Sequence, residues 1–259
     1  MQVIILCGGF GERLREETEF RPKPMIEIGG KPILWHIMKI YSYWGFNDFV
    51  LALGYKGNVI REYFLNYEAL NKDFTITIGN KKEIVFHNKI EEDDWKITLV
   101  DTGMAALKGA RIKRVEKYII GENFMLTYGD GVARINLKEL LKFHLEHGKV
   151  GTVTSVKPPS RFGELKIKKN MVISFSEKPL MSKGFINGGF FVFRRSFFDY
   201  LQDSDDCDFE KGPLEKLAQE GELMAYIHNG FWQCMDTYRD LQLLNKLWAT
   251  SAPWKLWKD

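Results

Sequence analysis

The sequence lacks an apolar run that approaches the roughly 18–20 residues a membrane-spanning helix needs. It has only three cysteines among 259 residues, and Cys7, Cys207 and Cys234 are scattered without a CxxC pair. This pattern predicts neither a disulfide framework nor a structural zinc site and favours a reducing compartment. The first residues lead into an apolar strand and not into a signal-peptide layout, so we expect a cytoplasmic protein without membrane partners.

A strong excess of one charge is also missing. Lysine and arginine number 37 and aspartate and glutamate 34, which gives a net charge of +3. A surplus this small argues against nucleic acid as a partner. The apolar fraction of 45% and the charged fraction of 27% are those of an ordinary globular protein. Because no repeat or low-complexity linker interrupts the chain, we expect one domain over residues 1–259.

Apolar strands alternate with amphipathic helices along most of the chain. The predicted strands are short continuous apolar runs at 3–6, 49–53, 124–127, 150–156 and 190–193. The predicted helices cover 32–44, a stretch around 59–67, and a segment that Asn136 opens with Glu139 three residues later and Gly148 closes. This alternation predicts an α/β fold: a mostly parallel, Rossmann-like mixed sheet with helices on both faces.

Two regions depart from that alternation. Apolar and polar residues alternate over 74–78, which predicts a half-exposed strand in a small antiparallel insertion. The acidic run 91–94 is interpreted as a solvated turn, with a metal site as the second choice. Near the end, short helices are expected within 213–221 and 241–248. The segment 253–259 carries two tryptophans, so we expect it to dock on the body of the protein or on a neighbouring subunit.

A glycine-rich loop follows the first predicted strand. Gly8, Gly9 and Gly11 allow backbone N–H groups to approach a polyphosphate, although a tight turn without a ligand is the alternative. The dinucleotide fingerprint GxGxxG fails because Leu14 occupies its third glycine position, and the Walker pattern is absent. Downstream, Lys23 lies between two prolines, which predicts an extended backbone and a well-aimed charge for a phosphate, or else a solvated loop lysine.

These motifs together resemble the sugar-phosphate nucleotidyltransferases. The resemblance begins with GGxGxR at 8–13 and KPM at 23–25, covers essentially the whole chain, and is tightest to members that use CTP and glucose 1-phosphate. The segments that carry it are 23–42, 53–57, 99–103, 128–132, 186–192 and 252–255.

The resemblance implies the residues of the nucleotide end. Arg13, Lys23 and Asp130 are expected to be catalytic. The expected nucleotide-binding residues are Leu6, Cys7, Gly8, Gly9, Phe10, Gly11, Glu12, Arg13, Lys23, Arg111 and Gly129.

The resemblance also implies one Mg²⁺ held by Asp130 and Asp236. The two lie 106 positions apart, and from the residues alone Asp130 could belong to an ordinary turn and Asp236 to the start of a helix. Mg²⁺ suits the chemistry because it takes hard oxygen ligands and neutralises phosphate charge. His144 and His147 lack a third obvious ligand and are interpreted as surface or half-buried histidines.

At the sugar end, the resemblance implies a sugar-phosphate site in the second half of the chain. Its expected residues are Gly163, Glu177, Lys178, Asn187 and Gly188. Without the surrounding motifs, Glu177 and Lys178 would be taken for an exposed ion pair. We therefore expect residues 1–135 to bind mainly nucleotide, and 136–259 to bind mainly sugar phosphate and to make oligomer contacts.

One position departs from the family pattern. Ala106 stands five residues before Arg111, where the CTP-using members usually carry threonine. Loss of that hydroxyl removes a hydrogen bond worth on the order of 1 kcal/mol, which leaves the choice of base open.

The resemblance implies that CTP and α-D-glucose 1-phosphate react to give CDP-glucose and diphosphate. The CDP-glucose is expected to be used in dideoxy-sugar or surface-polysaccharide (O-antigen) synthesis. Other nucleotides or sugar phosphates, a non-catalytic nucleotide-sugar sensor and a nicotinamide-dependent oxidoreductase are the alternatives. The resemblance also implies a homo-oligomer, a hexamer by analogy.

Overall fold

A computed structural model gives the fold of most of the chain. It describes residues 1–79, 83–87, 92, 94–158, 164–168, 171–176 and 184–258. Within this part of the chain, none of the helices is long and apolar enough to cross a membrane.

The described elements alternate as the sequence predicts. The strands are β1 (Gln2–Cys7), β2 (Glu27–Ile28), β3 (Lys31–Pro32), β4 (Asp48–Leu53), β5 (Phe74–Thr77), β6 (Glu83–Phe86), β7 (Lys96–Asp101), β8 (Asn123–Tyr128), β9 (Gly131–Ala133), β10 (Gly151–Val156), β11 (Glu164–Lys168), β12 (Met171–Ser176), β13 (Ile186–Arg194), β14 (Leu223–His228) and β15 (Trp232–Cys234). The α-helices are α1 (Arg15–Thr18), α2 (Ile33–Tyr43), α3 (Gly57–Leu65), α4 (Tyr67–Asn71), α5 (Lys108–Arg114), α6 (Leu137–His147), α7 (Glu215–Gln219) and α8 (Tyr238–Thr250).

The central sheet has seven strands in the order β14-β10-β13-β8-β1-β4-β7. Six of them point the same way, and β13 runs antiparallel to both of its neighbours, β8 and β10. The expected mostly parallel mixed sheet is thus confirmed. The described two-stranded ribbons β2–β3, β5–β6, β9–β15 and β11–β12 are antiparallel and lie outside this sheet.

Both faces of the sheet are covered, which explains the unbroken apolar sequence of β1. Val3 and Ile5 point into a core shared with α2, α6 and α8, whereas Ile4 and Leu6 point into a second core shared with α5 and α7. A strand with apolar neighbours above and below has no polar positions to alternate with. The helices therefore flank the sheet on both sides, as predicted.

Local signals fix the helix ends as the sequence predicts. Asn136 caps α6, because its side-chain oxygen accepts hydrogen bonds from the backbone N–H groups of Lys138 and Glu139, each at 3.1 Å. Gly148 ends the same helix in the left-handed region at φ 67°.

Glu92 in the acidic run and the apolar alternation near residue 80 differ from their predictions; Glu91 and Asp93 lie outside the described residues, and Asp94 is exposed as expected. The β5–β6 hairpin is exposed along the whole of β5 and not half-buried, and Ile78 lies beyond the strand at 88% exposure. Glu92 does not lie in a solvated turn: its side chain and that of Lys39 are each 8% exposed and pair at 3.1 Å. A buried carboxylate needs such a partner to offset its lost hydration.

The C-terminal tail docks on the body of the same chain. Trp254 is fully buried, with its ring stacked between those of Phe231 and Trp248 at centroid distances of 5.7 and 5.9 Å. Trp257 packs edge-on against Trp35 in α2. Docking of this segment on the body of the protein, one of the two expected places, is thus confirmed.

Two buried histidines make the fold sensitive to acid. His144 in α6 faces the sheet, and its Nδ1 is hydrogen-bonded to the hydroxyl of Thr152 in β10 at 2.8 Å. His36 donates from Nε2 to the Ile28 carbonyl at 2.8 Å and accepts from Trp254 at Nδ1. Burial lowers the pKa of each imidazole to about 4. His144 is thus a buried, hydrogen-bonded core residue and not the surface or half-buried histidine expected, whereas His147 is half-buried as predicted.

We predict that the free energy of unfolding falls as the pH drops from 6.5 towards 4. In that window the unfolded chain takes up protons on His36 and His144 that the folded chain refuses, which costs about 2–3 kcal/mol for each residue. Urea unfolding across this range measures the slope. His144→Gln should make the slope shallower, whereas the same replacement at the exposed His87 should leave it unchanged. An identical slope for His144→Gln and the wild type would contradict the assignment.

Candidate active site

The loops of the predicted site meet at one edge of the sheet. The parallel strands β8, β1, β4 and β7 are neighbours in the sheet. Their carboxyl ends lie side by side, because Cys7, Leu53 and Asp101 are in register and Tyr128 pairs with Leu6, one residue before Cys7. Loops that follow such strands converge, and this edge is where open α/β sheets bind ligands. The glycine loop, the segment after Asp101 and the turn that carries Asp130 are therefore brought together.

Steric constraints shape the glycine loop itself. Gly11 has φ 67°, a left-handed conformation that side chains other than glycine rarely adopt. Gly9 and Phe10 are exposed, and the ring of Phe10 packs against Tyr55 at 5.2 Å. Across the gap, a Cβ at Gly129 would lie 2.7 Å from the Leu6 carbonyl, so the turn before Asp130 needs glycine to approach β1. The loop leaves backbone open to solvent at the strand ends.

The side chains of Leu6 and Cys7 are buried in the two cores, which leaves only their main chains to face a ligand, and their predicted contact with the nucleotide stays a prediction. Burial raises the pKa of the Cys7 thiol, and burial together with Asp236 and Asp130 raises that of Cys234 to about 12. Neither cysteine is a thiolate at neutral pH, so neither is an activated nucleophile.

Arg111 supports the glycine loop from beneath. Arg111 is 3% exposed, and its guanidinium donates to the carbonyl oxygens of Gly8, Leu53 and Gly103 at 3.0, 3.0 and 2.7 Å. A Cβ at Gly8 would fall 2.3 Å from that guanidinium, so the glycine is needed for this close packing. One arginine thus ties together the loops after β1, β4 and β7. Its predicted contact with the nucleotide stays a prediction.

A two-stranded ribbon brings Asp130 and Asp236 together. Asp130 immediately precedes β9 and Asp236 follows β15, and the two strands pair with Gly131 opposite Cys234. The Met235 N–H also donates to the Asp130 carbonyl at 2.8 Å. Asp130 and Asp236, although 106 residues apart in the sequence, therefore lie next to each other across this β-ribbon.

The ammonium of Lys23 lies between the two carboxylates. Its Nζ is 2.5 Å from Asp130 Oδ2 and 2.7 Å from Asp236 Oδ1, so those two oxygens are no farther apart than the sum of these distances. Burial alone would lower the pKa of Lys23, but Asp130 and Asp236 outweigh it and the pKa is raised. Lys23 is therefore a fixed positive charge, 14% exposed, at the mouth of the glycine loop.

The backbone at Lys23 differs from the prediction. Pro22 is extended, but Lys23–Met25 form a single 3-10 turn closed by a hydrogen bond from the Met25 N–H to the Pro22 carbonyl at 2.8 Å. Pro24 is tolerated there because the first turn of a helix does not use its N–H groups. Lys23 thus lies in a 3-10 turn and not in the extended backbone predicted from its two flanking prolines.

Arg13 adds a second cation to the pair of carboxylates. Its Nη1 lies 3.1 Å from Asp236 Oδ2, and its side chain is 73% exposed. An exposed ion pair of this kind is weak and readily exchanged for another anion.

The position of Asp236 depends on a residue that the sequence analysis did not single out. Asp240 Oδ2 accepts hydrogen bonds from the backbone N–H groups of Asp236 and Thr237 at 3.2 and 2.9 Å. Thr237 in turn caps α8 and forms a capping box with Asp240. The Thr237–Asp240 spacing is a capping signal visible in the sequence.

The sugar end is described in part. Asn187 is exposed and Gly188 buried on β13, and the Gly188 carbonyl accepts from the indole of Trp232 at 2.7 Å. Gly163, Glu177 and Lys178 lie outside the described residues, so their predicted roles stay predictions.

Asp130 and Asp236 define the candidate metal position. In the described ranges, no group of three or more histidine, cysteine, aspartate or glutamate side chains is placed to hold a metal ion. The carboxylates of Asp130 and Asp236 nevertheless converge on one cationic group, the Lys23 ammonium. Two carboxylates supplemented by water and substrate phosphate are a usual ligand set for Mg²⁺, so these residues fit that ion.

Comparison with known proteins confirms the resemblance found in the sequence. The profile of the nucleotidyl transferase family matches residues 2–254, and the chain belongs to this family. It is 51% identical over 260 residues to a glucose-1-phosphate cytidylyltransferase of Salmonella typhimurium, covering 100% of both chains. It is also 46% identical over 258 residues to a probable glucose-1-phosphate cytidylyltransferase of Bacillus subtilis, covering 99% of this chain and 100% of the relative.

Solved structures share the fold. HddC from Yersinia pseudotuberculosis superposes with a TM-score of 0.70 at 24% identity, covering 95% of this chain and 99% of the other. A putative glucose-1-phosphate thymidylyltransferase from Bacillus anthracis gives a TM-score of 0.69 at 18% identity, covering 100% and 98%. At such identities the likeness establishes the architecture alone, and it confirms the α/β fold predicted from the sequence.

Proposed function

We propose that the protein transfers a cytidylyl group from CTP to α-D-glucose 1-phosphate, forming CDP-glucose and diphosphate. The observation that carries this is the Lys23 ammonium fixed between Asp130 and Asp236 beside the glycine loop. The two relatives of about half identity over the full length carry the same activity in their names, which supports the choice of substrates.

In this reaction the protein has to position two anionic substrates and neutralise their charges. An oxygen of the sugar phosphate attacks the α-phosphorus of CTP in line, a new P–O bond forms, and the bond to the β-phosphate oxygen breaks with release of diphosphate. The attacking phosphate is already a competent nucleophile, so neither a protein nucleophile nor a tuned general base is needed. Two anions must approach each other, and their repulsion is the barrier that the site has to lower.

The cations at the site have separate tasks. Lys23 is only 14% exposed and is held by Asp130 and Asp236, which suits it to bind the triphosphate and the leaving diphosphate in a fixed position. Arg13 is exposed and can move from Asp236 to the triphosphate when nucleotide binds. Asp130 and Asp236 would hold Mg²⁺, which when bound supplies charge neutralisation at the phosphate oxygens.

The remaining assignments follow the resemblance. The exposed amide of Asn187, together with Gly188, would contact the sugar, and Gly163, Glu177 and Lys178 would complete the sugar-phosphate site. Assembly as a homo-oligomer, a hexamer by analogy, a cytoplasmic location and a role in O-antigen synthesis belong to the same proposal. The two hydrophobic cores and the docked C-terminal tail are packed within one subunit, so they are not evidence for the oligomer.

The nucleotide base is the part of the proposal most open to test. Ala106 is 4% exposed and offers no hydroxyl where CTP-using relatives usually have threonine. The same chemistry with UTP, dTTP or another sugar 1-phosphate is the alternative.

We predict that a panel of four nucleoside triphosphates against several sugar 1-phosphates gives the fastest diphosphate release with CTP and glucose 1-phosphate. Release should require added Mg²⁺ and stop on chelation. A preference for UTP or dTTP would overturn the cytidylyl assignment, while binding without Mg²⁺-dependent release would indicate a sensor.

We also predict that Lys23→Ala, Asp130→Asn and Asp236→Asn each lower kcat at least a hundredfold, because each removes charge control from the reacting phosphates. Lys96→Ala and Asp48→Asn serve as controls. The two residues pair at 3.1 Å at the amino-terminal ends of β7 and β4, whereas the site lies at the carboxyl-terminal ends of these strands. Both controls should keep normal kcat. Near-normal turnover of Lys23→Ala and Asp236→Asn with Mg²⁺ present would refute the assigned roles.

A further inference from the structure

A hydrogen-bonded relay connects the nucleotide side of the site with the sugar side. Asn187 Nδ2 donates to the Tyr128 hydroxyl at 2.9 Å, and that hydroxyl donates to Glu210 Oε1 at 2.9 Å. Glu210 is also paired with the ammonium of Lys108, the first residue of α5. Neither Glu210 nor Lys108 belongs to the motifs that carry the resemblance.

The Glu210 carboxylate at the end of the relay fixes which group donates and which accepts in each of its hydrogen bonds. An ionised glutamate only accepts hydrogen bonds, so Tyr128 must give its single hydroxyl hydrogen to Glu210. The Tyr128 oxygen is then left as an acceptor for Asn187 Nδ2. Asn187 Oδ1 is occupied as well, because it accepts from the Gly189 N–H at 2.9 Å. Both ends of the Asn187 amide are therefore assigned by their partners.

The surroundings keep Tyr128 in the form that the relay needs. Burial, and then the negative charge of Glu210, raise the pKa of the Tyr128 phenol, so it stays a neutral donor throughout the working range. The ring packs edge-on against Phe191 at 5.8 Å, and Lys108 Nζ lies 5.4 Å from its centroid. A Cβ at Gly189, which has φ 92°, would lie 3.2 Å from this ring.

We propose that Glu210 is a positioning residue for the sugar phosphate, acting through Tyr128 to hold the Asn187 amide with its nitrogen towards Tyr128. An amide nitrogen carries two hydrogens, and the relay uses one. The other is left on an exposed side chain, available to a sugar hydroxyl. This inference rests on the proposed function, because it takes Asn187 to contact the sugar.

The relay also connects the part of the site expected to bind the nucleotide with the part expected to bind the sugar phosphate. Lys108 follows the segment 101–107, whose main chain Arg111 holds in place beside the glycine loop. The Lys108–Glu210 pair therefore joins this nucleotide-side segment to Asn187 on β13. Because Arg111 holds that segment without Glu210, loss of Glu210 should act on the sugar end while the residues around Lys23 stay in place.

The test measures KM for each substrate in Glu210→Ala, Glu210→Gln and Tyr128→Phe. Glu210→Ala and Tyr128→Phe should each raise KM for glucose 1-phosphate about tenfold, as expected for one lost hydrogen bond, and change KM for CTP less than twofold. The double variant should be no worse than either single one, because both cut the same relay. Glu210→Gln keeps an oxygen that can accept from Tyr128, so its KM should stay within about threefold of the wild type.

A matched control comes from a second tyrosine–glutamate pair. Tyr200 donates to Glu220 Oε2 at 2.6 Å in an exposed position outside the relay, and Glu220→Ala should leave both KM values unchanged. The inference is overturned if KM for glucose 1-phosphate is unchanged in Glu210→Ala, if both KM values rise together, or if the double variant multiplies the single effects. Failure of the wild type to release diphosphate from CTP and glucose 1-phosphate would instead refute the proposed function.

Discussion

The structure depends on one electrostatic arrangement, a lysine ammonium shared by two carboxylates from distant parts of the chain. Two partly buried aspartates so close together repel each other and would be unstable without a positive charge between them. Lys23 supplies that charge in the free protein. We propose that the same two carboxylates take up a divalent ion when the Lys23 ammonium moves towards a phosphate. The site is thus organised around charge before any substrate binds.

The rest of the fold serves to hold this arrangement in place. Asp130 extends from a buried central strand, and the β9–β15 ribbon sets Asp236 beside it. The capping box at the start of α8 fixes the backbone of Asp236, and the far end of α8 is clamped by the tryptophans of the tail. Arg111 fixes the opposite wall by joining three loops at their carbonyls. Rigid walls keep the charges at fixed distances, which is what catalysis by positioning requires.

The sheet and its helices could be predicted from the sequence, whereas the β9–β15 ribbon and the partners of Glu92 and Glu210 could not, for physical reasons. The unbroken apolar strands and the caps of α6 are local signals, so the parallel sheet and its helices followed from them. The ribbon that joins Asp130 to Asp236 is a long-range pairing of two three-residue strands, too short to leave a periodic pattern. The burial of Glu92 depends on Lys39, some fifty residues away, and an acidic run by itself carries no sign of that partner. Glu210 was missed for the same reason, because its relay exists only in three dimensions.

The most direct measurement is a crystal structure of the protein with CDP-glucose and Mn²⁺ in place of Mg²⁺, with the ion located by anomalous scattering. The account predicts one peak at coordination distance, about 2 Å, from both the Asp130 and Asp236 carboxylates. It further predicts that the Lys23 ammonium has turned from these carboxylates to a phosphate oxygen. A manganese peak that touches only one of the aspartates, or neither, would contradict the central claim.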